Sequence, residues 1–247
     1  PGAGIFNLLS SGWEDVYISK LDAAGNFIWA KQFIGTGFEH GRGIAIDAGG
    51  NVLITGDFNT ITDFDPSAAV FNMTGTTNGT FVCKLDAAGN FIWAKQLGGN
   101  GFALCVDNSG NVYTTGFFSN TGDFDPGAAV LNFTSAGMGD VFVSKLDALG
   151  NFVWAGQFAG NNFDEGFGIT TDASANVYVT GDFEGVTDFD PSAATFNLTT
   201  GGQGDVFVCK LNSSGGLTWV KQFTGTAHDI GRSIALDAAG NIYTTGH

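Results

Sequence analysis

Apolar and polar residues alternate along short runs, and each run ends at a cluster of Asp, Gly and Asn. DVYISKLDAAGNFIWAKQ (15–32), TFVCKLDAAGNFIWAKQ (80–96), DVFVSKLDALGNFVWAGQ (140–157) and DVFVCKLNSSGGLTWVKQ (205–222) are four copies of one such ribbon. Between and after them lie GIAIDAGGNVLITG (43–56), ALCVDNSGNVYTTG (103–116), GITTDASANVYVTG (168–181) and SIALDAAGNIYTTG (233–246), four copies of a second. Period-two alternation predicts half-buried strands, and the shared D-x-x-G-N break predicts a tight turn between them. Asp accepts backbone N–H groups further along the turn, and Gly takes the positive-φ position. Ala175 stands where the other copies carry Gly, and Asn212 where they carry Asp; Asn still supplies the side-chain oxygen.

Pro1, Pro66, Pro126 and Pro191 mark the repeat at spacings of 65, 60 and 65 residues. Two hairpins per repeat give four strands: A near 43–47, B near 51–57, C near 80–85 and D near 90–95. Four-stranded antiparallel units repeated in series predict an all-β fold, a β-propeller of four blades. It forms a single domain over 1–247, in repeats of about 1–65, 66–125, 126–190 and 191–247. The chain opens on a C/D pair and closes on an A/B pair, so joining the two completes a fourth blade and removes two exposed edges. Pro1 lacks the Asp-Phe-Asp that precedes the other prolines, and His247 stops short of the next one. The sequence therefore reads as an excerpt or processed part of a longer chain.

Composition agrees: 39 Gly, 24 Phe and 43% apolar residues suffice for a core, and 20 Asp against 4 Glu favour turns over helices. The net charge of −15 opposes nucleic acid or an anionic membrane as partner. The longest apolar run, Phe102–Val106, is five residues, so no membrane span is expected. Cys83 and Cys209 align with Ser19 and Ser144, and Cys105 with Ala45, Thr170 and Ala235, which reads as small packed side chains. One Trp per repeat (Trp29, Trp93, Trp154, Trp219) falls in the same strand; packing between blades and stacking on a sugar are the two readings. Trp13 lies outside the pattern.

These runs resemble the bacterial β-propeller repeat family known as SBBP, with its FVxKLDxxGNxxWxxQ and DxxGNxYxTG runs. The resemblance implies a propeller in a secreted or cell-surface protein.

Tight turns occupy one face of such a fold, and the longer B-to-C and D-to-A connections gather opposite, where function collects. TDFDPSAAVFN, GDFDPGAAVLN and TDFDPSAATFN put Asp63 and Asp65, Asp123 and Asp125, and Asp188 and Asp190 on one side of an extended chain, with Phe64 and its equivalents inward. Such pairs are candidate calcium ligands, with Asp57 or Asp182 adding oxygens, or plain structural turns. Asn72, Asn132, Asn197, Asn78 and Asn212 begin N-x-[ST] triplets, candidate glycosylation sites, and Thr74, Thr134 and Thr199 are candidates for O-linked sugar; exposed polar strand positions explain them equally. Glu39, Arg42, Asp229 and Arg232, with His40, Asp164, Glu165 and His228, form the non-repeating polar set. It is placed to grip a small polar ligand at the channel mouth or to pair internally.

No nucleophile, zinc or nucleotide motif occurs, so the sequence points away from an enzyme. It points to a non-catalytic extracellular or bacterial cell-surface structural protein, a fibre, sheath or adhesin subunit that associates with itself or with other surface proteins. A calcium-assisted glycan-binding propeller is the alternative, and a hydrolase or lyase using the channel-mouth acids a remoter one.

Overall fold

The computed structural model describes residues 6–75 and 79–247, and among them there is no helix. Three complete four-stranded antiparallel sheets follow one another along the chain. The first runs β3 (Glu39–Ile46), β4 (Val52–Phe58), β7 (Gly79–Leu85) and β8 (Phe91–Gly98). The second runs β9 (Asn100–Val106), β10 (Val112–Phe118), β13 (Asp140–Leu146) and β14 (Phe152–Gly160). The third runs β15 (Asp164–Thr171), β16 (Val177–Phe183), β19 (Asp205–Leu211) and β20 (Leu217–Phe223). A C/D hairpin, β1 (Val16–Leu21) and β2 (Phe27–Gly35), precedes them, and an A/B hairpin, β21 (Gly231–Leu236) and β22 (Ile242–Gly246), follows. The A-B-C-D order read from the sequence is thus the order of hydrogen bonding in every complete sheet.

The turns form as their residues dictate. Asp47 Oδ1 accepts the N–H groups of Gly49 and Asn51, both at 2.9 Å, and Gly50 closes the turn at φ 78°. Asn212 does the same for Ser214 and Gly216. Ala175 is held at φ 60°, a left-handed conformation that costs an L-residue about 1–2 kcal/mol.

Each B-to-C connection folds into an extra hairpin of two three-residue strands: β5 (Ile61–Asp63) with β6 (Asn72–Thr74), β11 (Thr121–Asp123) with β12 (Asn132–Thr134), and β17 (Val186–Asp188) with β18 (Asn197–Thr199). Two of these reach back to the preceding sheet: β5 pairs with β2 and β17 with β14. They cover outer D-strand edges that are otherwise open to pairing.

The cores lie between successive sheets. Val16, Ile18 and Phe33 of the first hairpin pack with Ile54, Phe58, Phe81 and Cys83 of the next sheet. Phe64, Phe124 and Phe189 of the B-to-C connections are fully buried, as the alternation requires. Near the axis the A strands lie side by side. A Cβ on Gly43 sits 3.1 Å from the backbone N of Leu104, and one on Gly168 3.1 Å from that of Ile234. Small residues at these positions set how closely neighbouring sheets approach.

The D-strand Trp belongs to this packing. Trp29, Trp93 and Trp154 donate Nε1–H to the turn carbonyls of Ala87, Ala148 and Ser213 in the next sheet, at 3.3, 3.4 and 3.1 Å. Lys20, Lys84 and Lys145 reach the same three oxygens at 2.9, 3.4 and 3.4 Å. Each ring rests on a turn glycine, Gly89, Gly150 or Gly215, whose missing side chain makes room for it.

The sheets are those of β-propeller blades, and each terminal hairpin pairs within itself. Among the described residues β22 pairs only with β21, and β1 only with β2. Tyr17 of β1 is 71% exposed and Tyr243 of β22 59%.

Candidate functional site

Every A strand carries one residue too many for its B partner. The register slips between Gly41 and Gly43, Gly101 and Ala103, Gly166 and Gly168, and Gly231 and Ser233. A β-bulge leaves its extra residue out of the ladder and re-aims the side chain. The residues so placed are Arg42, Phe102, Phe167 and Arg232, and their side chains meet in one row. The Arg42 guanidinium lies 5.5 Å from the Phe102 ring centre, Phe102 stacks on Phe167 at 5.1 Å and 5°, and Arg232 lies 4.3 Å over Phe167. Cation–π contact and ring stacking tie four A strands into one row. The sequence reading singled out the two arginines but not the two phenylalanines between them; the small residues around each, as in Gly41-Arg42-Gly43 and Gly166-Phe167-Gly168, were the available signal.

Two His–Asp pairs flank this row. His40 Nδ1 lies 2.7 Å from Asp57 Oδ2 and its Nε2 2.9 Å from Glu14, while Arg42 Nε donates to Asp57 Oδ1 at 2.8 Å. In the third sheet His228 Nε2 lies 2.8 Å from Asp182 Oδ2, and Asp182 Oδ1 is buried without a partner. Burial raises the carboxyl of Asp182 above its ordinary range, against the pull of His228. Burial likewise raises Glu165, helped by the charge of Asp182 and opposed by Arg232.

Glu39 and Asp229, grouped with the arginines in the sequence, stand elsewhere. Glu39 is buried and accepts the hydroxyls of Thr60 and Thr62 at 3.2 and 3.0 Å, so desolvation raises it. Its counterpart Asp164 is fully buried on Thr187 and the N–H of Glu184, and burial pushes it up to about 8. Asp229 is half-buried at the same junction. Arg42 therefore pairs with Asp57, not Glu39.

In the DFDP segments the first carboxylate is a local cap. Asp63 Oδ1 accepts the N–H of Asp65 at 3.0 Å and of Phe71 at 2.8 Å, and Asp65 Oδ1 that of Ser67 at 2.9 Å. Asp123 with Asp125, and Asp188 with Asp190, repeat the pattern. These donors offset the repulsion between the paired acids. Asp57 is engaged by His40 and Arg42, and Asp182 by His228, instead. Among the described residues no three His, Cys, Asp or Glu side chains converge as a metal site would require.

Asn72, Asn132 and Asn197 are exposed on β6, β12 and β18, with Met73, Phe133 and Leu198 between them and their threonines packed on the cores. Asn212 is exposed but spends its side-chain oxygen on its turn. Asn78 lies outside the described residues. Cys83 and Cys209 are buried and unpaired, as small packed side chains should be. Burial also pushes the Cys105 thiol up to about 12, which disfavours its thiolate form.

The chain is a succession of four-stranded antiparallel units. Residues 218–247 match the SBBP family, a beta-propeller repeat. This is the family the ribbons resemble. An uncharacterized WD repeat-containing protein of Acanthamoeba polyphaga mimivirus is 25% identical over 99% of this chain, which spans 22% of that protein's length. A protein of unknown function from Bacteroides caccae, known from its crystal structure, is 10% identical with a TM-score of 0.25, over 87% of this chain and 92% of that one. Among the described residues no helix is long and apolar enough to cross a membrane.

Proposed function

We propose that this chain is the propeller body of a non-catalytic structural protein of the cell exterior, a surface or fibre component built to associate through its sheets. The three complete sheets are blades, and the fourth blade consists of β21–β22 as its inner pair with a β1–β2 hairpin as its outer pair. The observation that carries this reading is what the repeated polar residues do. In each repeat the acids cap turns, and in three of them the Trp–Lys pair grips the next sheet, so most of the distinctive side chains are spent on holding sheet to sheet. The bulge row is likewise occupied by its own Arg–Phe contacts. Chemistry on a substrate requires a polar group free to face it; here that role falls to few groups.

Protease shaving tests the location. Trypsin applied to intact cells that make the full protein is expected to release peptides cut after exposed Lys221 or Arg232, and release only after lysis would overturn the assignment to the exterior.

A further inference from the structure

The repeat over 66–125 departs from its neighbours where the D strand passes to the next A strand. In the repeats over 1–65 and 126–190, residues 36–39 separate Gly35 from His40, and residues 161–164 separate Gly160 from Glu165. Each of these links ends in a buried acid, Glu39 or Asp164, that accepts the hydroxyl of Thr62 or Thr187 on the B-to-C hairpin at 3.0 or 3.1 Å. In the middle repeat Gly99 runs directly into Asn100, which faces Phe117 as His40 faces Asp57 and Glu165 faces Asp182. The link and its acid are missing there, and Gly122 stands in place of the threonine.

A space opens as a result. Among the described residues β11 pairs only with β12, whereas β5 and β17 also pair with D strands. Gly98 follows Leu97 as Ile34 follows Phe33, so no side chain fills the gap from that strand. In the repeat over 126–190 the link packs on Gly185, where a Cβ would lie 2.6 Å from Asn161 Oδ1. Its counterpart Asn120, also left-handed at φ 64°, lines the vacated space with a side chain. The cavity measures about 640 Å³, against about 300 Å³ for the space beside Ile34 in the first repeat. Pockets of about 300–1,000 Å³ suit small ligands.

The walls are hydrogen-bonding groups with capacity to spare. Asp123 and Asp125 commit only Oδ1 to backbone N–H groups. Among the described residues the Ser119 hydroxyl and the Asn120 amide make no hydrogen bond, and Gln96 uses one of its N–H groups, on the carbonyl of Thr74 at 3.2 Å. No Lys or Arg among the described residues lines the cavity, so its two carboxylates disfavour an anion, and no three acids converge on a cation. An apolar ligand would strand these groups at about 1–3 kcal/mol for each one buried. A sugar ring instead offers hydroxyl donors to the carboxylate oxygens and acceptors to the amides at once. We propose that the cleft between β8 and β11 binds a neutral oligosaccharide through Gln96, Ser119, Asn120, Asp123 and Asp125. This binding function is separate from the structural role above and does not rest on it.

Calorimetric titration of the purified full chain, in EDTA, with cellotriose, maltotriose, chitotriose and mannotriose tests this. At least one sugar should bind with a Kd below about 1 mM, and Asn120→Gly and Asp125→Asn should each weaken it about tenfold while the unfolding midpoint stays in place. Both variants are mild: Gly185 already occupies the left-handed position in the next repeat, and Asn212 caps its turn as Asp does elsewhere. Binding by none of the four sugars, or undiminished binding by both variants, would overturn the proposal. So would binding that appears only when calcium replaces EDTA, or an uncharged Thr-Val hexapeptide bound at the open strand edges in place of sugar.

Discussion

Gly181→Ala is expected to lose about 3–5 kcal/mol of stability, enough to unfold the third blade. Gly181 faces the bulged A strand, where the slip of register puts the Glu165 carbonyl oxygen into the space a Cβ would fill, and the Phe207 ring lies 2.8 Å from that position. A methyl group there meets backbone on one side and a buried ring on the other, and neither yields without breaking the A–B ladder. Gly56, Gly116 and Gly246 face the carbonyls of His40, Asn100 and Ile230 in the same way, which is the physical reason each second hairpin ends in Gly. Gly201→Ala is the matched control: its Cβ would meet only Thr224 Cβ at 3.5 Å and two atoms beyond, and the change should stay within about 0.5 kcal/mol. Chemical denaturation of both variants checks this, and equal losses would remove the bulge from the explanation.

Stability should peak in mildly acidic solution and decline as pH rises toward 8. Asp164, raised by burial from 3.8 to about 8, is neutral in the folded chain where the unfolded chain has ionised it. A group raised in this way contributes fully at low pH, and its contribution is lost as pH climbs from the unfolded value to the folded one. Each pH unit of difference is worth ~1.4 kcal/mol, so the loss over this window is on the order of several kcal/mol. Asp140, Asp182, Glu165 and Glu39, all raised by burial, act in the same direction. The turn aspartates act oppositely. Asp47 is partly desolvated, but the Asn51 amide and Lys84 hold it at about 2, and Asp107 and Asp172 are lowered by the equivalent asparagines. Their contribution is present above the ordinary carboxylate range and lost as pH falls through the folded values. The unfolding temperature should therefore be highest near about pH 4–5. Asp164→Asn, which keeps the shape of the neutral acid, should shrink the fall between pH 5 and 8; an unchanged slope would show that Asp164 ionises without penalty.

Much of this architecture is legible in the sequence because turns and alternation are local. D-x-x-G-N places each hairpin, and the inward position of Phe64 follows from period two. The short hairpins of the B-to-C connections were not legible, since three residues are too few to show a period and their pairing partner lies on another sheet. The bulges escaped for a related reason: an inserted residue such as Phe102 breaks the alternation that would announce its strand, so the A strands begin earlier than the pattern suggested. The candidate site shows the same division. Arg42 and Arg232 stood out as charged residues in unequal loops, but their alignment through Phe102 and Phe167 depends on four strands brought together only by folding. The carboxylates of the DFDP segments were visible as pairs, whereas the N–H groups that hold them come from loop geometry.

Hydrogen exchange on the dilute chain tests the central claim, a series of A-B-C-D sheets with matching half-sheets at the two ends. The slowest amides are expected in the interior pairs, 112–118 with 140–146 and 177–183 with 205–211, while 16–21 and 242–246 exchange rapidly. Equal protection of the terminal hairpins in dilute solution, or interior B and C strands no slower than their A and D neighbours, would contradict it.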